Sequence, residues 1–375
     1  MIEGIFFELI RVAIGTQESL SRLPSAREWG ELYKAAKKQS LVGICFAGIQ
    51  RLGANADDGF ETIGLPEMLY LKWMGMAAKI QQRNKIVDER CVALHKRLSA
   101  EGFHSCVLKG QGVGLQYAEH LLGLRQSGDI DIWMDGGFDK VNAWVQKVAP
   151  TNVVNQHHVD LKLYDDTEIE AHYHPINMTN PWRQHRLKAF IKAHEDECFA
   201  NKTCLNLEKT QMCVPTTEFN LVFLMVHIFH HLFTEGVGLR QVMDYYFVLR
   251  NTNFQELPTN YSIIFKQLGL ERFASAMMWV IKTVFVDHDN DNKDLFLGFI
   301  PNEKDGKFML DEIMISGNFG KQDDRQKGLY ESKWNSFWMV NGKTFRFWRF
   351  DHWAWFWSPI YRVRSKIWQL KRGYK

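Results

Sequence analysis

The chain has 375 residues, 46% of them hydrophobic and 24% charged, an ordinary globular composition that suits two or three structural units better than one. Its opening segment, MIEGIFFELIRVAIGTQESL, has no basic leader and is interrupted by Glu8 and Arg11. It supports neither a secretory signal nor a membrane span, and the expected location is cytoplasmic. The formal charge of +3 is unevenly spread: residues 343–375 carry nine Lys/Arg against one Asp, a net +8, which leaves the first 342 residues at −5.

Residues 1 to about 100 read as helices, because EWGELYKAAKKQSLVGICFAGIQRL and LPEMLYLKWMGMAAKIQQRNKIVDERCVALHKRLSAEG both repeat apolar residues at helical spacing. The segment GANADDG at 53–59 separates them. The texture then changes to a short strand (HSCVLK), a glycine turn into a helix (GQGVGLQYA), a second strand (GDIDIWM) and a helix ending before Pro150. HHVDLKLY and TEIEAHYH follow as strands around the turn DDT. Helical periodicity returns in PTTEFNLVFLMVHIFHHLFTE, LRQVMDYYFVLR and LERFASAMMWVIKTVF. ISGNFGKQDDRQKG reads as a flexible loop before the Trp/Arg-rich tail. The expected fold class is α+β, a small mixed sheet flanked by helical regions. The expected division is a helical region 1–84, a core 85–178, a helical domain 179–314 closing a cleft over it, and a loop with a basic tail at 315–375. The six cysteines form no C-x-x-C pair, so most are expected to be reduced and buried.

In GDIDIWM, strand alternation places Asp129, Asp131 and Trp133 on one face and Ile130, Ile132 and Met134 on the other. Two carboxylates on one exposed edge repel unless a cation sits between them, and Mg²⁺ suits hard oxygen ligands completed by phosphates. Upstream, Gly110, Gly112 and Gly114 leave a strand and open a helix, where backbone N–H groups can approach a phosphate. The pattern is neither the dinucleotide fingerprint, since position 115 is Leu115, nor a P-loop.

These motifs resemble the nucleotidyltransferase superfamily that includes DNA polymerase β. LKGQGVGLQY, LRQSGDIDIW and IEAHYH are more closely similar to a bacterial group described as an uncharacterised nucleotidyltransferase family, in the order LKG…R…DIDI…E-x-H. The resemblance implies that Asp129 and Asp131, with a third carboxylate, hold two Mg²⁺ ions that clamp an NTP. Glu170 matches the third acid, with Glu168 a competitor on the same strand face and Asp160 a weaker one. The resembling turn usually has Gly or Ser directly after its first glycine, where this chain has Gln111. Lys109 and Arg125 are candidate phosphate-contacting cations, which with Gly110, Gln111 and Gly112 complete the expected nucleotide-binding set.

The implied reaction is Mg²⁺-dependent transfer of a nucleoside monophosphate to an acceptor hydroxyl with release of pyrophosphate. A small or glycan-linked acceptor is favoured, with protein or RNA as alternatives. A degenerate, non-catalytic nucleotide- or nucleic-acid-binding module and γ-phosphate transfer are the rivals. His227 and His231 lie at i, i+4 on one helical face, a zinc-compatible spacing without the glutamate of H-E-x-x-H. The expectation is that His227, Arg240 and Asp244 line the cleft opposite the acids, and that His172 and His174 support the acids or simply edge the strand. The tail, with Trp348, Trp353, Trp355 and Trp357 beside Arg346 and Arg349, reads first as aromatic packing on the helical domain with wet arginines. Stacking on single-stranded nucleic acid and contact with a membrane interface are its other readings.

Overall fold

The computed structural model describes residues 2–54, 63–205, 211–257, 260–286, 293–320 and 341–374. Most of the expected separator at 53–59 and of the expected loop at 315–328 lies outside the described residues. Four helices lead the chain: α1 (Ile2–Ile14), α2 (Ala26–Lys38), α3 (Val42–Ala54) and α4 (Glu67–Ala100). The sequence read 28–52 as one helical stretch, but it breaks at Ser40, whose φ of 56° ends α2 after Lys38. Helix α4 runs unbroken through residue 84, where the expected boundary between two units falls. Its N-terminal half packs with the lead helices through Trp73, Ala77 and Ile80, and its C-terminal half joins the sheet through Val87, Cys91 and Leu94.

Strands β1 (Ser105–Val107), β2 (Ile130–Met134), β3 (His158–Leu161) and β4 (Ile169–His172) form one mixed sheet in the order β1-β2-β4-β3. The β2–β4 pair is parallel and the other two pairs are antiparallel. The helix expected after the glycine turn is a single turn, α5 (Gln111–Gly114), whereas α6 (Gly137–Val148) covers one face of the sheet. Val107, Ile130, Ile132 and Met134 bury themselves on that face with α6 and the end of α4. Cys106, Leu108 and Trp133 point the other way into the larger helical core, where Trp133 stacks on Phe219 at 5.6 Å.

That core is built from α7 (Pro181–Ala200), α8 (Thr217–Thr234), α9 (Leu239–Arg250), α10 (Tyr261–Gln267), α11 (Glu271–Phe285) and α12 (Glu303–Ser316), together with the lead helices. A hairpin, β5 (Lys202–Cys204) with β6 (Gln211–Cys213), lies between α7 and α8. Five of the six cysteines are buried and all are free. No helix among the described residues is long and apolar enough to cross a membrane.

The tail straps both parts of the molecule. Phe347 and Phe350 are buried against Phe233 and Phe273 of the helical core. Asp351, buried, accepts from Arg183 on α7 at 2.7 Å. The C-terminal helix Ala354–Lys371 then reaches the sheet side, where Trp368 meets Phe138 edge-on at 4.9 Å and Asn142 donates to the Tyr374 hydroxyl at 2.7 Å. Two details differ from the sequence reading. Trp348, Trp353 and Trp355 stay exposed while phenylalanines do the packing, and Arg346 and Arg349 are not simply wet but pair with Glu312 and Asp305 of α12.

Candidate active site

Register decides which side chains meet. Asp131 on β2 stands opposite Glu170 on β4, and Glu170 opposite Asp160 on β3. One residue pair along, Trp133 stands opposite His172, and His172 opposite His158. Because neighbours on one sheet face repeat every second residue, the two short motifs H-x-D (158, 160) and E-x-H (170, 172) lay a row of carboxylates beside a row that is mostly imidazole. The alternation predicts an exposed edge for the acids, but β2 is an interior strand under the helical core. Asp131 is therefore 3% exposed, and only Asp129, just before the strand, is half-buried.

Carboxylates this close need positive partners. Asp131 Oδ1 lies 2.7 Å from Lys109 Nζ and 3.0 Å from His172 Nε2, which also reaches Glu170 Oε2 at 3.1 Å. Burial opposes a charged His172 ring, yet the hydrogen bonds to Asp131 and Glu170 and their negative charge lift it to about 9. Burial likewise pushes Glu170 up, but the His172 hydrogen bond and the charges of His172, His158 and Lys109 outweigh it and bring the carboxyl down to about 2. Lys109, whose burial favours the neutral amine, is held above its ordinary value by Asp131, Asp129 and Glu170.

Helix α8 supplies the opposite wall. Lys109 Nζ donates to His227 Nε2 at 3.0 Å, His231 Nε2 lies 2.9 Å from the same nitrogen, and His231 Nδ1 is 3.2 Å from Glu235. A chain of polar contacts thus runs from Glu235 through the two histidines and Lys109 to Asp131. Burial, reinforced by Lys109 and His231, drives His227 well below its ordinary value, so it is a neutral acceptor here. A cavity of about 520 Å³ opens between the walls, lined among others by Lys109, Asp129, Glu170, His172, His227 and Tyr361.

The glycine turn has two requirements. Gly110 takes φ 57°, a left-handed conformation that favours glycine, and a Cβ on Gly112 would meet the Val107 carbonyl oxygen at 2.5 Å. Gly112 is therefore needed for packing on β1. The Gln111 side chain turns away from the acids and donates to Asn84 and Asp88 of α4. Burial lifts Asp88 to about 6 against the opposing effect of the Gln111 hydrogen bond. Arg125 is fully engaged in a two-point contact, Nε and Nη2 each 2.7 Å from the carboxylate of Asp244, whose Oδ1 also accepts from Tyr117. Arg240 lies beside this pair and donates to the Gln126 carbonyl at 2.6 Å.

The structure thus brings Lys109, Gly110, Asp129, Asp131 and His227 together with Arg125, Arg240 and Asp244 around one small cavity of about 30 Å³, of which Lys109, Asp129 and His227 also line the larger one. Glu168 is exposed and engages β2 through its backbone carbonyl, which accepts from Ile130; Asp160 is half-buried in the carboxylate row. His174 lies past the end of β4. The sequence reading missed His157, His158 and His230, all of which line the larger cavity. The signal available was the tandem His157-His158 two residues before Asp160, which was read as strand only.

Asp131, Glu170 and His172 present ligand atoms within 4.8 Å of one another, as do His158, Asp160 and Glu170. The oxygen donors fit a hard divalent cation such as Mg²⁺. A family model described as uncharacterised nucleotidyltransferase matches residues 25–286, and the chain belongs to that family. Comparison with curated proteins and with solved structures found no match in either. Family membership supports a nucleotidyl transfer as the general kind of reaction, with a nucleoside triphosphate and a metal as its usual companions.

Proposed function

We propose that the protein is a Mg²⁺-dependent nucleotidyltransferase that moves a nucleoside monophosphate from an NTP to an acceptor hydroxyl. The reading rests above all on one observation: within a chain of this family, Asp129 and Glu170 line a cavity of about 520 Å³ with Lys109, and Asp131, 2.7 Å from Lys109, borders the small cavity that also touches Lys109 and Asp129. Asp129, Asp131 and Glu170 would hold the metal, which when bound stabilises charge on the attacking and leaving oxygens. Lys109, with the backbone at Gly110, faces the triphosphate. Gln111, Gly112 and Arg125 then act behind the turn: Gln111 and Arg125 fix it to α4 and α9, and Gly112 lets it pack on β1. The acceptor oxygen attacks the α-phosphorus, the bond to the β-phosphate bridging oxygen breaks, and pyrophosphate departs with that electron pair. The acceptor proton passes to the carboxylate nearest the acceptor hydroxyl.

A small or glycan-linked acceptor remains our reading. A second reading, a non-catalytic nucleotide-binding module in the cytoplasm, is favoured by the pairing of Asp131 with Lys109 and His172, which neutralises the acid without any metal. Incubation with each NTP, Mg²⁺ and an acceptor panel separates the possibilities. Pyrophosphate with a nucleotidylated product supports transfer, NDP would instead identify a kinase, and binding without turnover would favour the module.

A further inference from the structure

Beside the carboxylate row, His157, His158 and His172 each offer a ring nitrogen within 4.8 Å of the other two, and all three line the large cavity. His157 and His172 keep Nδ1 buried and without a hydrogen bond, and His158 Nδ1, also buried, has only Glu170 Oε2 near it, at 3.4 Å. For two of them the other nitrogen is already used from outside: His172 Nε2 contacts Asp131 and Glu170 at 3.0 and 3.1 Å, and His158 Nε2 lies 2.6 Å from the Asn155 amide and 3.4 Å from Asp160. A buried polar atom with no partner is costly, and two such imidazole nitrogens beside a third that only Glu170 approaches ask for a common ligand. Backbone bonds hold His157 in place, its carbonyl accepting from both Tyr173 and His174.

We propose that these three histidines form a site for a borderline divalent transition ion of the Zn²⁺ class, separate from the oxygen-ligated metal that the nucleotide would bring. Imidazole selects such ions over Mg²⁺, and three protein ligands leave a fourth position open. Nitrogens bound to one tetrahedral ion are about 3.3 Å apart, given metal–nitrogen bonds of about 2.0–2.1 Å. The present spacing, within 4.8 Å, leaves the rings to turn inward to close on an ion. Carboxylates on the far nitrogen of His172 are the outer partners that orient a metal-bound imidazole and raise its basicity. Glu170, 3.4 Å from His158 Nδ1 and 3.1 Å from His172 Nε2, borders the cluster and links it to the carboxylate site. The ion would add positive charge to the wall of the large cavity and would lower the pKa of a bound water or hydroxyl.

The test uses the full chain stripped with a chelator. Titration with Co²⁺ alone is expected to give the intense visible bands of a nitrogen-ligated tetrahedral ion, and dialysis against Zn²⁺ about one retained equivalent. His157→Ala and His158→Gln are expected to weaken Co²⁺ binding by about 100-fold or more, since losing even an outer partner costs about 10–100-fold. Asp129→Asn, outside the cluster, is expected to keep it. Weak octahedral absorption in the wild type would overturn the proposal without any variant, and so would undiminished Co²⁺ affinity in both histidine variants. A parallel titration with Mg²⁺ and NTP keeps the nucleotide reading distinguishable: NTP binding without Co²⁺ binding removes this site and leaves that reading intact.

Discussion

The two sides of the glycine turn use buried polar groups in opposite ways. Toward α4 and α9 a connected set of contacts closes on protein: Gln111 on Asn84 and Asp88, Asn84 on the carbonyls of Gly123 and Arg125, and Arg125 with Tyr117 on Asp244. The cavity beside Asn84, Asp88 and Gln111 is about 30 Å³. Toward β4 the partners are shared and incomplete, with one lysine and one histidine serving two carboxylates, unpartnered imidazole nitrogens, and about 520 Å³ of space. Satisfied buried networks rigidify a fold, whereas perturbed and under-satisfied groups around a cavity are what a ligand completes. Stability should therefore reside on the first side and chemistry on the second.

The largest expected effect tests the open side. Asp131→Asn should lower nucleotidyl transfer by about 10³-fold or more, corresponding to several kcal/mol of lost metal-held charge stabilisation. Steady-state pyrophosphate release measures it, and near-normal turnover would break the comparison at its functional end. On the closed side, Arg125→Ala leaves Asp244 buried without its cation and should cost about 3–5 kcal/mol in urea unfolding. Unchanged stability with lost NTP binding would instead move Arg125 to the phosphate.

A smaller effect sharpens the same contrast through pH. The folded Asp88 carboxyl titrates at about 6, above the ordinary 3.8, so its stabilising contribution is complete below pH 3.8 and lost as pH rises through 6. Above pH 6 the buried charge is a penalty. Asp88→Asn keeps an acceptor for Gln111 and should raise stability at pH 8 by about 1–3 kcal/mol while flattening the pH dependence between 3.8 and 6. Chemical unfolding at a series of pH values checks it. Smallest of all, Trp355→Ala on the exposed tail surface should change stability by no more than about 0.5 kcal/mol.

Part of the sheet was legible because GDIDIW and TEIEAH alternate apolar and polar residues and the turn DDT separates two of the strands. The acid-bearing strand, the 165–167 turn and helices α8, α9 and α11 follow from such local signals. Helix α7 was not read, because its buried residues are only Leu187, Ile191 and Cys198. Its one clear local mark is the Asn180 cap before Pro181. Sequence pattern named Asp129, Asp131 and Glu170, but it does not encode register or the helices laid over a sheet. Hence the burial of Asp131, the inward turn of Gln111 toward α4, the Arg125–Asp244 pair and the His157/His158/His172 cluster emerge only in three dimensions.

The most direct measurement is calorimetric titration of ATP, GTP, CTP and UTP with Mg²⁺ into the wild type and into the Asp129→Asn/Asp131→Asn double variant. The account predicts saturable binding of at least one NTP by the wild type, dependent on Mg²⁺, and none by the variant. Equal binding by both proteins, or Mg²⁺-independent binding by the wild type, would contradict the assignment of the paired aspartates as the metal-holding centre of the site.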